Sequence, residues 1–325
     1  MEQITDGPQE QSREEPQRQK GVFKRRDLVL DRILNSESEG KGLGQEDALE
    51  YILKSCRAEN YRERTLTDYR RIWSWFFEVI DTPYVNEVTP HHFRQYITTM
   101  LDERKISPRT VNIRLTALKA IFNRLHREGV LKENPVSQIR KLKTDEKSLP
   151  LMSEEQIKRL FAVIDRTTFA GNRDYVAMLV MLKEGLRNNE VMQLEIGDVD
   201  FDNNVILLPG SKNKNRKTRA VPMSSKVKTE IRTLIEETQT YFANVKYVFT
   251  NQFGVQLKDD YLRKRMHLYE RKAGIAGQCQ CSPHVLRHVF ATRFAKLNGN
   301  LRALQQILGH GDITNHSNLH QLHEP

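Results

Sequence analysis

Between Gln45 and Val136 the apolar residues recur every three to four positions. Ala48, Tyr51, Ile52 and Cys56 form one such set, and Tyr69, Ile72, Trp73 and Phe76 a second. This period is that of an α-helix with one buried face. Thr65 or Thr67 supplies an N-cap for the second helix, ahead of Asp68-Tyr69-Arg70-Arg71. Thr89-Pro90 opens a third, because proline suits the first helical position, where its missing N–H costs nothing. Ser107-Pro108 opens a fourth. Its inner face carries Val111, Leu115, Leu118, Ile121 and Phe122, and it is expected to run to Asn134-Pro135. The pattern predicts a helical bundle over 45–138 with basic side chains on its outer faces.

The period fails at both ends of that segment. Residues 1–44 are polar, with a basic cluster at Lys24-Arg25-Arg26, and predict a mobile tail holding at most a short helix near Leu28–Leu34. Residues 139–150 are charged and aperiodic, which reads as a linker. Ser153-Glu154-Glu155-Gln156 is a capping sequence for a new helix and opens a second domain, 151–325. There the apolar run Tyr175–Leu186 predicts a buried helix. Val205–Leu208 and Thr218–Met223, separated by the polar turn Pro209–Lys217, predict a β-hairpin, and Tyr247–Thr250 a third strand. The expected fold class is mainly α: a helical bundle followed by a mixed, mostly helical domain with a small antiparallel sheet.

Composition narrows the partners. The 325-residue chain carries a formal charge of +10, and its isoelectric point is about 9.4. With basic residues spread over a helical bundle, this points to an anionic polymer, nucleic acid above all. The three cysteines, Cys56, Cys279 and Cys281, are too few and too odd in number for a disulfide scaffold and fit a reducing cytoplasm. No apolar run approaches a membrane span, so no membrane partner is expected. Cys279-Gln280-Cys281 lacks a second cysteine pair, and the histidines near the end lack carboxylate or cysteine partners at ligand spacing. No metal and no other cofactor is expected.

The chemistry lies in Ser282-Pro283-His284-Val285-Leu286-Arg287-His288. On a helix His284, Arg287 and His288 share a face, beside an apolar stripe of Leu286, Phe290, Phe294 and Leu297 that can anchor it. Arginine offers a planar fork of donors to an anionic oxygen, and histidine moves protons near neutral pH. His-x-x-Arg alone also describes an ordinary solvated helix. Here it is preceded by Gly185-Leu186-Arg187-Asn188-Asn189-Glu190 and a lysine-rich hairpin, and followed by Leu308-Gly309-His310.

In that order these segments resemble the tyrosine recombinase (phage integrase) family. The resemblance covers about residues 45–315. It includes Thr110-Val111-Asn112 and Glu133-Asn134-Pro135 in the upstream bundle, which is similar to the family's SAM-like core-binding domain. The hairpin Lys212–Pro222 resembles the family's lysine hairpin. Counting back from Arg219, the catalytic lysine falls on Lys214, with Lys212 as competitor. The resemblance implies that Arg187 and Arg287 clamp the non-bridging oxygens of a scissile phosphate. His310 adds a donor, Lys214 protonates the leaving 5′ oxygen, and His284 moves the nucleophile's proton. Glu190 and Asp198 would orient the arginines. The family activity is cutting and rejoining DNA strands through a phosphotyrosine, without metal or nucleotide, by proteins assembled as dimers or tetramers on DNA.

One family feature departs. The family tail reads approximately Leu-Gly-His-x-x-Ile-x-x-Thr-x-x-Tyr. Leu308, Gly309, His310 and Ile313 fit, but His316 stands for the threonine and Leu319 for the nucleophilic tyrosine. No tyrosine follows Tyr269. The domain reads as truncated or frameshifted after about residue 315, and a frameshift accounts for both changes. His-Ser encoded CAC-TCN contains ACT, and Leu-His encoded TTA or CTA before CAC or CAT contains TAC, each in the same shifted frame. An inactive paralogue, or another tyrosine such as Tyr261 or Tyr269 as nucleophile, are the alternatives. The expected function is therefore a recombinase-like DNA-binding protein defective in cleavage. A non-catalytic regulator occupying recombination sites is the second reading, and a type IB topoisomerase-like enzyme, which also needs the tyrosine, a third.

Overall fold

A computed structural model gives the fold and describes residues 42–144, 150–212, 217–298 and 300–309. The tail with its Lys24-Arg25-Arg26 cluster and the helix expected near Leu28–Leu34 lie outside the described residues. The chain divides into two compact units at Glu146/Lys147.

The first unit contains α1 (Gln45–Ala58), α2 (Glu63–Phe77), α3 (Pro90–Thr98), which runs into a π turn at Thr99–Glu103, and α4 (Pro108–Arg127). Aromatic rings fill the space between them. Phe76 packs on Phe93 with ring centroids 4.7 Å apart, Phe93 meets Phe122 edge-on at 5.2 Å, and all three are fully buried. The expected caps at Thr89 and Ser107 are present, with the Thr89 N–H donating to His92 Nδ1 and Ser107 Oγ accepting from the Thr110 N–H. Two boundaries differ from expectation. Helix α2 starts at Glu63, ahead of both threonines, because Leu66 on its first turn belongs to the buried face. Helix α4 stops at Arg127, where Gly129 adopts a left-handed conformation (φ 77°), well before Asn134.

The stretch expected to begin a linker instead continues this unit. Ile139 is buried in its core, and Asn112 holds Leu142 from both sides, accepting from its N–H at 2.8 Å and donating to its carbonyl at 2.9 Å. Arg62, Arg64, Arg70, Arg71, Arg94 and Arg109 are exposed. Arg124 is the exception. It is buried, donating to Ser55 at 2.8 Å and to Glu59 at 2.5 and 2.9 Å.

The second unit begins with α5 (Glu154–Ala162), capped by Ser153 and Gln156 as expected. Helix α6 (Phe169–Glu184) is its spine. Val176 to Leu182 are all buried, which is why that run shows no polar face. Helix α8 (Ser225–Tyr241) and helix α10 (Pro283–Asn298) pack against α6, and α9 (Tyr261–Lys272) against α5 and α10. A short α7 (Asn188–Met192) follows α6, and α11 (Leu301–Leu308) follows α10.

The sheet is antiparallel in the order β1 (Val199–Asp200), β2 (Val205–Leu208), β3 (Arg219–Pro222), with Leu208 opposite Arg219. Its third strand is Val199–Asp200. Tyr247–Thr250, expected as that strand, makes only isolated bridges, Tyr247 to Glu195 and Thr250 to Gln256. The anchoring stripe on α10 is shorter than expected: Leu286 is fully buried, but Leu297 is 81% exposed. Cys279 and Cys281 are buried free thiols, and burial pushes the Cys281 thiol up to about 12. Among the described residues no group of three His, Cys, Asp or Glu is placed to hold a metal ion.

Candidate functional site

The site is built where α6 ends. Gly185 closes α6 in a left-handed conformation (φ 70°), and a Cβ there would lie 2.4 Å from the Phe290 ring. Only glycine lets the chain reverse this close to α10. The turn delivers Arg187 in an extended conformation at the N-cap of α7. Three residues on, Glu190 reaches back: its Oε2 accepts from the Arg187 N–H at 2.8 Å and its Oε1 from the Arg187 guanidinium at 2.8 Å.

Glu190 is 2% exposed, so its charge must be answered by the protein. Arg219, the first residue of β3, grips both its oxygens at 3.0 and 2.7 Å. Arg287, on α10, comes to 3.9 Å. Burial would raise the Glu190 carboxyl, but the bonds and charge of Arg219, then of Arg187, outweigh it and hold the group below the usual carboxylate range. Three guanidinium groups thus surround one carboxylate.

The surplus of positive charge is felt at Arg287. Its side chain is almost fully buried, and burial first, then the nearby Arg187, brings its pKa down to about 9. Glu190 offsets this only in part. An arriving phosphate would relieve the deficit, a physical basis for anion binding.

The three arginines also share a second task. The last carbonyls of a helix have no partner within it. At the end of α11, the Ile307 carbonyl accepts from Arg219 Nε at 2.8 Å, the Leu308 carbonyl from Arg287 at 2.6 Å and the Gly309 carbonyl from Arg187 at 3.3 Å. Arg287 also donates to the Gly185 carbonyl at 2.6 Å, so one guanidinium ties the end of α6 to the end of α11. Gly309 is left-handed (φ 62°), and a Cβ there would sit 3.1 Å from Arg219.

His284 lies one turn before Arg287 and meets His288 edge-on, with ring centroids 4.5 Å apart. Part of its surface is open to solvent. The protein around its ring, then the charges of Arg287 and Arg187, lower its pKa below 6.5. At neutral pH it is an uncharged imidazole able to accept a proton.

The structure thus gathers Arg187 and Arg287, with His284 one turn away on α10. Lys214, His310 and Leu319 lie outside the described residues. Lys212, the competing lysine, is engaged elsewhere: its ammonium sits 2.5 Å from Asp198 and 3.0 Å from Glu195. Asp198 therefore orients a lysine, not an arginine as expected. The sequence also undervalued Arg219. Its one signal was its fixed place three residues before Pro222, in a hairpin otherwise noted for lysines.

Two tyrosines considered as substitute nucleophiles are held in a separate network. Tyr269 is buried and donates to Asp174 at 2.7 Å, and burial, then the Asp174 charge, raises its pKa. Tyr261 bonds the Arg173 guanidinium, which also binds Asp174 at 2.9 Å and the Thr250 carbonyl at 2.7 Å. Both hydroxyls serve as struts between α6 and α9.

Residues 150–319, more than half the chain, match the phage integrase family, and residues 56–143 match the phage integrase N-terminal domain. The chain is similar to tyrosine recombinase XerC of Oceanobacillus iheyensis, 27% identical over 271 residues, covering 82% of this chain and 87% of the relative. It is 32% identical over 206 residues to tyrosine recombinase XerD of Neisseria meningitidis serogroup B, covering 61% and 67%. In fold it is similar to the Tn1549 transposon integrase solved with a circular intermediate DNA (TM-score 0.68, 21% identity, 84% of this chain and 94% of that one). It is equally similar to a lambda integrase dimer bound to a COC′ core site (TM-score 0.68, 14% identity, 84% and 94%). The chain belongs to the phage integrase family of tyrosine recombinases.

Proposed function

We propose that this protein binds double-stranded DNA and that the arginine site of its second unit holds the phosphodiester at which its family exchanges strands. The observation that carries this reading is the convergence of Arg187, Arg219 and Arg287 on the carboxylate of Glu190, three guanidinium groups around one carboxylate among the described residues. In this reading Arg187 and Arg287 take the non-bridging oxygens. His284, uncharged at neutral pH, takes the nucleophile's proton. Lys214 protonates the leaving oxygen and His310 adds a donor. The ion pairs that hold Lys212 favour Lys214 for that role. Assembly as a dimer or tetramer on DNA belongs to the same proposal, supported by the fold shared with an integrase solved as a DNA-bound dimer.

The finer part of the proposal is that this chain does not cleave. Leu319 occupies the position of the nucleophile and offers no group that can attack phosphorus. The burial of Tyr269 and the engagement of Tyr261 with Arg173 speak against either as a replacement. The chain would then occupy sites as a non-catalytic binder.

The test begins by selecting duplexes from a random-sequence pool with the purified protein. Binding should be recovered, and Arg187→Ala should weaken it. A nicked suicide version of the selected duplex should give no covalent adduct with the chain as it stands. Rebuilding the tail in the shifted frame, with threonine, tyrosine and the segment beyond, should give one. Leu319→Tyr alone need not, since its neighbours would not align the hydroxyl. An adduct formed by the unaltered chain would overturn the cleavage defect, and failure to select any duplex would overturn the DNA-binding reading.

A further inference from the structure

The end of α11 is held by three arginines, but they are not equivalent. Arg187 and Arg287 each have a role in the phosphate reading above. Arg219 has none there, yet it makes a dense set of contacts: both oxygens of Glu190, and the Ile307 carbonyl through Nε. Its side chain is 10% exposed.

Consider what Glu190 would do without it. A carboxylate 2% exposed would lose two of its donors. A buried anion does not stay under-bonded if a cation is in reach. The nearest replacement is Arg287, whose guanidinium lies 3.9 Å from Glu190 Oε2. Closing that gap to hydrogen-bond length requires a movement of about 1 Å. It would draw Arg287 off the Gly185 and Leu308 carbonyls, which it now holds at 2.6 Å each. The end of α11 would then lose its bonds to Arg219 and Arg287 together.

We propose that Arg219 is a positioning residue of the phosphate site. It saturates Glu190 so that Arg287 is not drawn onto that carboxylate beside Arg187, and it fixes the Leu308-Gly309 turn that leads to His310. This inference rests on the phosphate-site reading above. It makes the hairpin more than a carrier of lysine, because the strand that follows Lys214 also sets Arg287 and the turn before His310. Lysine cannot take over the role. One ammonium lacks the planar fork that serves two carboxylate oxygens and a carbonyl at once.

The test uses the full chain and its Arg219→Lys and Arg219→Gln variants, with inorganic phosphate as the probe. Phosphate affinity is read from the side-chain Nε–H resonances of Arg187 and Arg287. Hydrogen exchange reports the amides of 301–309. Arg219→Lys preserves the charge, so a purely electrostatic role leaves it unchanged. The expected result is that Arg219→Lys weakens phosphate by about tenfold and speeds exchange at the end of α11 to a similar degree, because a displacement near 1 Å is costly at such a site. Arg219→Gln should show the same losses or larger ones. An Arg219→Lys variant that matches the parent in both measurements overturns the proposal, whether or not Arg219→Gln folds. If phosphate moves neither arginine resonance in the parent, the phosphate-site reading fails, and the exchange data still decide whether Arg219 holds α11.

Discussion

At the scale of the residue, the site turns on how one buried carboxylate is satisfied. Glu190 accepts from two arginines while almost fully removed from water. Replacing it with alanine would leave buried guanidinium groups without their counter-charge, and we expect a loss of about 3–5 kcal/mol in chemical denaturation. Because the folded-state pKa of Glu190 is depressed, its contribution is present above the unfolded carboxylate value of 4.5 and disappears as pH falls through the lower folded value. Glu190→Gln should therefore flatten the pH dependence of stability below pH 4.5, and an unchanged slope would show that the group is not held ionised. His284 acts in the same direction, but at higher pH. Its pKa is lowered, so protonation favours the unfolded chain once pH drops below about 6.5. In an NMR titration its ring should be more than half neutral at pH 6.5, and a midpoint above that value would contradict the crowding of cations around it.

At the scale of the element, two devices set helix ends against one another. The first is the left-handed turn at Gly185, where the ring of Phe290 fills the space a side chain would need. Gly185→Ala combines an unfavourable backbone with a clash, and we expect it to cost about 2 kcal/mol or more, read as a fall in thermal midpoint. The second is the strut between α6 and α9. Asp174 is 1% exposed, and accepts from Arg173 at 2.9 Å, Arg265 at 2.7 Å and Tyr269 at 2.7 Å. Asp174→Ala should be among the most destabilising single changes in this unit, about 3–5 kcal/mol, because it strands Arg173 in the interior. A loss under about 1 kcal/mol would mean that the two arginines find other partners.

At the scale of the whole molecule, charge and fold make separate contributions. The +10 formal charge favours any polyanion, and this term weakens with salt as bound phosphates release their counterions. We expect duplex affinity to fall steeply, by orders of magnitude, between about 50 and 200 mM salt, measured by fluorescence anisotropy. Arg187→Ala, by contrast, should lower affinity with only a small change in that slope, since it removes a single phosphate contact. A salt-insensitive complex would contradict the electrostatic reading.

Local chemistry made much of this protein legible from its sequence. The periodic apolar faces of the first four helices, the caps at Thr89, Ser107 and Ser153, and the hairpin from Val205 to Pro222 depend on near neighbours, so their order in the chain carries the information. The family motifs around Arg187 and Arg287 were legible for the same reason, being compact runs. What the sequence hid were choices made between distant segments. Val199–Asp200 became a strand in place of Tyr247–Thr250 because pairing partners are selected by the packed core. Leu142 joined the first unit because Asn112, thirty residues away, completes its backbone bonding, and Ile139 because its side chain is buried in the core there. Asp198 took Lys212, and Arg219 took Glu190, because buried charges pair with whatever cation the fold brings within reach. Sequence alone thus determined the helices, the hairpin, the family and the list of basic groups. Only the tertiary structure decided which carboxylate each of them answers, since that depends on distances between residues far apart in the chain.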